Sequence, residues 1–148
     1  MTDNQMTTRE RIDAIRARYD HCFGCGTSNA TGLQLDGFER NGNQVTVEYR
    51  PQSDHTGFAD ILHGGIVATA LDEVMAWTAM LIEGVFVVTG TMELRYRKPA
   101  DAGATFSLVG NLEERRGRRL MITAALYDGD TLVADASAMF LTVGQLDG

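Results

Sequence analysis

The sequence predicts an α+β domain in which a single antiparallel sheet wraps one long helix. Three observations carry that prediction. The segment GGIVATALDEVMAWTAMLI, from Gly64 onward, is too long for a strand and is rich in Ala, Leu and Met. Its only polar side chains are Thr69, Asp72, Glu73 and Thr78, so it is apolar on nearly every face and must be covered all round. Segments with strand patterning surround it, and four of them follow it in succession, separated by turn residues.

Taken in order, Thr8 to Tyr19 reads as a short helix with Thr8 as its cap and Ile12 and Ile15 as a weak apolar stripe, placed at the periphery. HCFGCGTSNATGLQL is dense in Gly, Ser, Thr and Asn and reads as a loop. Strands are expected at Leu35 to Arg40 and Gln44 to Arg50, with the hairpin turn at Asn41-Gly42; in the second, Val45, Val47 and Tyr49 alternate with polar residues. After an irregular stretch the helix runs from Gly65 to about Ile82. Strands then follow at Phe86 to Lys98, Thr105 to Glu114, Arg118 to Tyr127 and Thr131 to Val143, read as an antiparallel meander. Residues 1–32 form an N-terminal helix and Cys/Gly-rich extension, and residues 33–148 form the domain proper. One sheet cannot cover a helix on all sides, so a second copy of the chain is expected to cover the rest.

Composition agrees with a packed domain: 148 residues, 44% apolar and 22% charged, suit one core and no disorder. A net charge of -7 excludes the basic footprint of a nucleic-acid binder. Seven of the thirteen basic residues nevertheless fall between Arg95 and Arg119, a stretch suited to a small anion. The N-terminus has no signal-peptide core, and no apolar run approaches the roughly 20 residues that span a bilayer. A cytoplasmic protein without a membrane partner is expected. Cys22 and Cys25 fit a reducing compartment; a His-Cys-x-x-Cys without a second pair is a weak zinc signal, and no metal is assigned.

The most informative stretch is His63-Gly64-Gly65 followed by Asp72. Two glycines at a helix start let the backbone approach a ligand, and the first amides of the helix have no intrahelical acceptor. They form a ready oxyanion site. Asp72 lies in an otherwise apolar helix, where an unpartnered carboxylate is costly. Singly, each residue has an ordinary reading: a turn histidine, glycines that shape the helix, an aspartate paired with an arginine. Together they supply the two parts that acyl transfer from a thioester requires, a donor site and a carboxylate. A Ser-His-Asp hydrolase is disfavoured, because there is no G-x-S-x-G elbow and there are only three histidines.

HGGIVATALDEVM resembles the signature of hotdog-fold acyl-CoA thioesterases of the phenylacetate-pathway type, the PaaI-like group of the 4HBT superfamily. The branch is the one that carries CFGCG, here Cys22 to Gly26, and an Asn-x-x-Gly-Leu segment, here Asn29 to Leu33. VTGTMELRYRKPA looks like the family's strand after the helix. The resemblance implies hydrolysis of an acyl-CoA to free acid and CoA, with Asp72 as catalytic carboxylate and the Gly64 amide, after the motif histidine His63, as oxyanion donor. Thr89 falls where the family has a hydroxyl associated with the attacking water. Many relatives have Asn or Gln where this chain has Gly57, and His55 stands nearby as a substitute. No cofactor is implied beyond coenzyme A as part of the substrate, and a dimer or dimer of dimers is expected. Two rivals are a hydratase or dehydratase using His63 with Glu73, and an acyl-CoA-binding module without turnover.

Geometry adds a further expectation. Gly64 and Asp72 are eight residues apart, about 12 Å along a helix, too far to serve one carbonyl. A composite site is predicted, with Gly64 from one subunit and Asp72 from its partner. Asp72 would either activate water or attack the thioester to give an anhydride, and sequence leaves both open. Glu73 lies about 100° further round the helix and should point elsewhere, into an ordinary salt bridge or hydrogen bond. Gly65 with Arg95, Arg97, Lys98, Arg116 and Arg119 is the candidate group for holding coenzyme A and its phosphates; a solvated strand edge is the alternative for the basic residues. Met75, Trp77 and Met80 are candidates to line the acyl site, though such residues also serve as plain core.

Overall fold

The structure is a computed structural model that describes residues 5–146; residues 1–4 of the expected extension and 147–148 of the expected domain proper lie outside the described residues. Helix α1 spans Thr8–Arg18 and is capped by Thr7, one residue earlier than expected. Thr7 and Glu10 form a reciprocal capping box: the Thr7 hydroxyl accepts from the Glu10 amide at 3.1 Å, and the Glu10 carboxylate accepts from the Thr7 amide at 2.8 Å. The helix is not peripheral. Ile15 is wholly buried, and Arg11 donates to the Leu81 carbonyl at 2.6 Å, in the last turn of the central helix.

Strand β1 (Glu39–Asn41) is shorter than expected, because Gln34 and Gly37 take positive φ and break the extended backbone before it. Leu35 and Phe38 still reach the core from that loop. Asn41 pairs with Gln44, so the turn is Gly42-Asn43, with Gly42 at φ 63°, one residue later than read. Then come β2 (Gln44–Tyr49), α2 (Gly64–Glu83), β3 (Val85–Tyr96), β4 (Phe106–Arg116), β5 (Arg119–Asp128) and β6 (Thr131–Gln145). Gly84, in the left-handed conformation at φ 64°, ends α2.

The six strands form one antiparallel sheet in the order β1-β2-β4-β5-β6-β3. The expected meander holds only for β4, β5 and β6. Strand β3 pairs with β6 at the far edge, because residues 97–105, which contain Pro99, are too long for a tight hairpin and let the chain cross back to β2. Inside the curve, Phe106, Leu108, Leu120, Ile122 and Phe140 pack with Ala70, Leu71, Val74 and Trp77 of α2, all nearly inaccessible. Each large side chain so buried contributes roughly 1.5–3 kcal/mol. At β4 the helix comes so close that a Cβ on Gly110 would sit 2.2 Å from the Thr78 hydroxyl oxygen.

By length and composition α2 is apolar enough to cross a membrane, contrary to the reading that no such run exists. Its place against the sheet accounts for that character, since ten of its side chains are buried. Strand β3 leaves α2 and runs back alongside it. That return sets Thr89 beside Asp72 and Tyr96 beside Gly64.

Candidate active site

The site begins at the start of α2. His63 is the N-cap: its Nδ1 accepts from the Gly65 amide at 2.9 Å, and its own amide donates to the His55 carbonyl at 3.0 Å. A Cβ on Gly57 would lie 3.0 Å from the His63 Cα, so the small residue there lets the preceding loop close on the cap. The Tyr96 hydroxyl donates to the Gly64 carbonyl at 2.6 Å. The Gly65 amide is thereby committed to His63, and Gly64, the first helical residue, is the exposed amide without an intrahelical acceptor. His63 thus serves as a helix cap, and a role for Gly65 in holding coenzyme A cannot run through its own amide while that cap is in place.

Asp72 projects from the middle of α2, partly exposed. Its Oδ1 accepts from the Thr89 hydroxyl at 2.6 Å. That bond fixes the carboxylate and leaves its other oxygen without a partner among the described residues. The β3–β6 register slips between Thr89 and Thr91, and a Cβ on the intervening Gly90 would meet Met139 at 2.9 Å. The bulge keeps Thr89 turned toward the helix. Gly64 and Asp72 lie on one continuous helix eight residues apart, about 12 Å by its rise.

Glu73 turns away from Asp72, as expected, into the loop after α1. Its Oε1 shares a hydrogen bond with Cys22 Sγ at 3.6 Å, and a Cβ on Gly24 would collide with its Cγ at 2.0 Å. Burial pushes the Glu73 carboxyl up to about 8. The Cys22 thiol is held down to about 5, chiefly by a hydrogen bond from the Cys25 thiol and also by the Gly24 and Cys25 amides. Cys25 is raised by the same thiol contact and by burial.

His55 is not available to substrate. It is buried at 1% exposure; Nδ1 takes hydrogen bonds from the Tyr49 hydroxyl at 2.7 Å and the Gln52 amide at 3.1 Å, and Nε2 donates to the Thr31 carbonyl at 3.0 Å. It anchors the loops around the helix start. The reading of His55 as a stand-in at position 57 is therefore corrected.

The basic stretch does not form one patch. Arg97 and Lys98 border a cleft of about 420 Å³ beside Gly64 and Tyr96, with Val67 and Val133 as apolar wall. Arg97 pairs with Asp135 at 2.6 Å, and Arg95 with Glu93 at 3.1 Å. At the opposite end of α2, about 30 Å away by helical rise, Arg115 pairs with Glu83 at 3.2 Å. Arg116 pairs with Glu114 at 2.5 Å, and Arg119 is exposed on β5 in the same hairpin. Of the basic stretch, the chain thus offers Arg97 and Lys98 beside the helix start among the described residues. Met75 and Trp77 are sealed in the core and Met80 nearly so, with Trp77 stacked on Phe38 at 4.1 Å, so none of the three lines an open site. Sequence reasoning missed Tyr96, whose polar-tipped aromatic at the end of an otherwise ordinary strand was the available signal.

A family model described as the thioesterase superfamily matches residues 59–134, just over half of the chain. The mouse (Mus musculus) acyl-coenzyme A thioesterase THEM4 is 30% identical over 87 residues, which cover 57% of this chain and 37% of that protein. The chain spans between 37% and 66% of the length of three curated relatives it matches. Among solved structures, the Escherichia coli PaaI protein of the phenylacetic acid degradation operon superposes with a TM-score of 0.77 at 14% identity, covering 95% of this chain and 98% of that one. A Streptococcus mutans protein bound to acetyl-CoA superposes with a TM-score of 0.67 at 19% identity, covering 75% and 88%. The sheet-wrapped helix is the hotdog fold.

Proposed function

The chain belongs to the thioesterase superfamily, and from that premise we propose that it hydrolyses an acyl-CoA thioester to a carboxylic acid and coenzyme A. The observation that carries this reading is the Thr89 hydrogen bond to Asp72, on the helix that opens with the exposed Gly64 amide. With Oδ1 held by Thr89, the second carboxylate oxygen takes a proton from water as that water attacks the thioester carbon. The carbonyl oxygen becomes an oxyanion and accepts from the Gly64 amide. Collapse breaks the C–S bond, and the thiolate of coenzyme A leaves and is protonated. The committed Thr89 hydroxyl favours water activation over direct attack by Asp72, since its oxygen still accepts a hydrogen bond from that water.

The site is composite in this proposal, pairing Gly64 of one subunit with Asp72 of another. Support comes from the helical separation of the two groups and from the open side of β3, where Val88 is 50% and Tyr96 56% exposed. Beside that edge a partly exposed stripe of α2 carries Gly65, Ala68, Asp72 and Ala76. A second copy would cover both.

The decisive experiment is release of free thiol from short-chain, medium-chain and aryl-CoA thioesters by the wild type and by Asp72→Asn. Turnover by the wild type, with a loss of roughly 10²–10⁴-fold in the variant, supports the proposal. If both proteins bind acyl-CoA and neither releases thiol, the chain is a binding module.

A further inference from the structure

Outside the proposed active site, a group of metal-ligating side chains among the described residues joins the loop after α1 to the central helix. Cys22 Sγ, Cys25 Sγ and a carboxylate oxygen of Glu73 all lie within 4.8 Å of one another. We propose that Cys22, Cys25 and Glu73 bind one divalent transition-metal ion of the zinc class, with water as fourth ligand. The inference does not depend on the hydrolase reading.

Ligand type and spacing fit. Zinc holds thiolates at about 2.3 Å and carboxylate oxygens at about 2.0–2.2 Å in a tetrahedron, so neighbouring ligand atoms stand just under 4 Å apart. Three donors within 4.8 Å need only a small inward adjustment. Cys22 and Glu73 are partly exposed and Cys25 is buried, which opens one side of the group to water.

The loop is also shaped to present sulfur. The Gly26 amide donates to the Cys22 carbonyl at 2.7 Å, a tight turn that holds Cys22 and Cys25 close together. Gly24 is held to a hydrogen side chain by the approach of Glu73, and Arg16 ties the Cys25 carbonyl and the Leu35 carbonyl to α1. Binding displaces the thiol protons to solvent as the ion takes their place. Bound there, it would clamp the N-terminal loop to the turn of α2 that carries Asp72.

The test uses the full chain, reduced and stripped with a chelator, then titrated with Zn(II) alone and separately with Co(II). We expect one ion per chain, a thiolate-to-cobalt charge-transfer band, and protection of Cys22 from alkylation by zinc. Cys22→Ser and Glu73→Gln, checked for folding by circular dichroism, should weaken zinc by more than the about 100-fold typical of losing an outer-shell partner. Failure of the folded wild type to retain zinc through gel filtration would overturn the proposal. So would wild-type affinity in both variants, or alkylation of Cys22 at the same rate with and without zinc. None of these readouts involves thioester turnover, so the two proposals fail separately.

Discussion

Thr89 donates its hydroxyl hydrogen bond to Asp72 Oδ1 over 2.6 Å, joining the start of β3 to the middle of α2. A hydrogen bond to a charged group is worth about 1.5–3 kcal/mol. Thr89→Val keeps the shape of the side chain and removes the donor, and is expected to lower kcat/KM by about 10- to 150-fold and the melting temperature by several degrees. Thr89→Ser retains the donor and should stay within several-fold of the wild type. Steady-state kinetics on both variants checks this; equal activity of Val and Ser at this position would remove Thr89 from the mechanism.

Gly64 offers an unusually clean way to delete one donor. It is the first residue of α2, its φ is not positive, and His63 before it sits at φ -59° and ψ 134°, a conformation that precedes proline readily. Proline is well tolerated at the first helical position because its missing N–H has no intrahelical acceptor there. Gly64→Pro should therefore leave the fold intact and remove the proposed oxyanion donor, lowering kcat by about 10²–10³-fold. Unchanged kcat in a folded variant would show that another group receives the oxyanion.

The proposed composite site makes a quantitative prediction for mixed subunits. Gly64→Pro and Asp72→Asn chains, each nearly inactive alone, form mixed dimers in which one of the two sites draws both intact groups, Gly64 from one chain and Asp72 from the other. Statistical mixing makes about half of the dimers mixed, so about one quarter of all sites should be whole. Co-refolded mixtures assayed for thiol release should recover about one quarter of wild-type activity. No recovery, with mixed dimers demonstrated by tag capture, would place both groups of each site in one subunit.

Much of this was legible in the sequence because it is written in local pattern. The helix at Gly64–Glu83 and the long strands β4 to β6 follow from periodicity and turn residues, and the His63-to-Asp72 spacing lies on one element. What escaped depends on contacts between distant segments. The edge position of β3 is decided by how its crossing connection runs, not by the strand's own pattern. Cys22 meets Glu73 across 51 residues of chain, so neither shows its partner locally. Arg97 and Arg116 are near in sequence yet belong to opposite ends of α2, because β3 delivers one to the helix start and the β4–β5 hairpin carries the other to its end. In sequence His55 reads as a substitute for the Asn or Gln missing at Gly57 because it lies two residues away in the chain; burial and three hydrogen-bond partners hold it elsewhere.

That last reassignment is testable through stability. His55→Ala leaves the Tyr49 hydroxyl, the Gln52 amide and the Thr31 carbonyl without their partner, and opens a cavity where the ring was buried. An unsatisfied buried polar group costs about 1–3 kcal/mol; with partial relaxation and some access to water, the expected loss is about 2–5 kcal/mol. For a domain of this size each kcal/mol lowers the melting temperature by about 2–4 °C, so a fall of about 4–20 °C is predicted. Below the melting transition, kcat/KM per folded molecule should stay within about twofold of the wild type, because no ring nitrogen of His55 reaches substrate. Differential scanning fluorimetry beside thiol-release kinetics separates the two roles: a variant that melts like the wild type and loses turnover would return His55 to the chemistry.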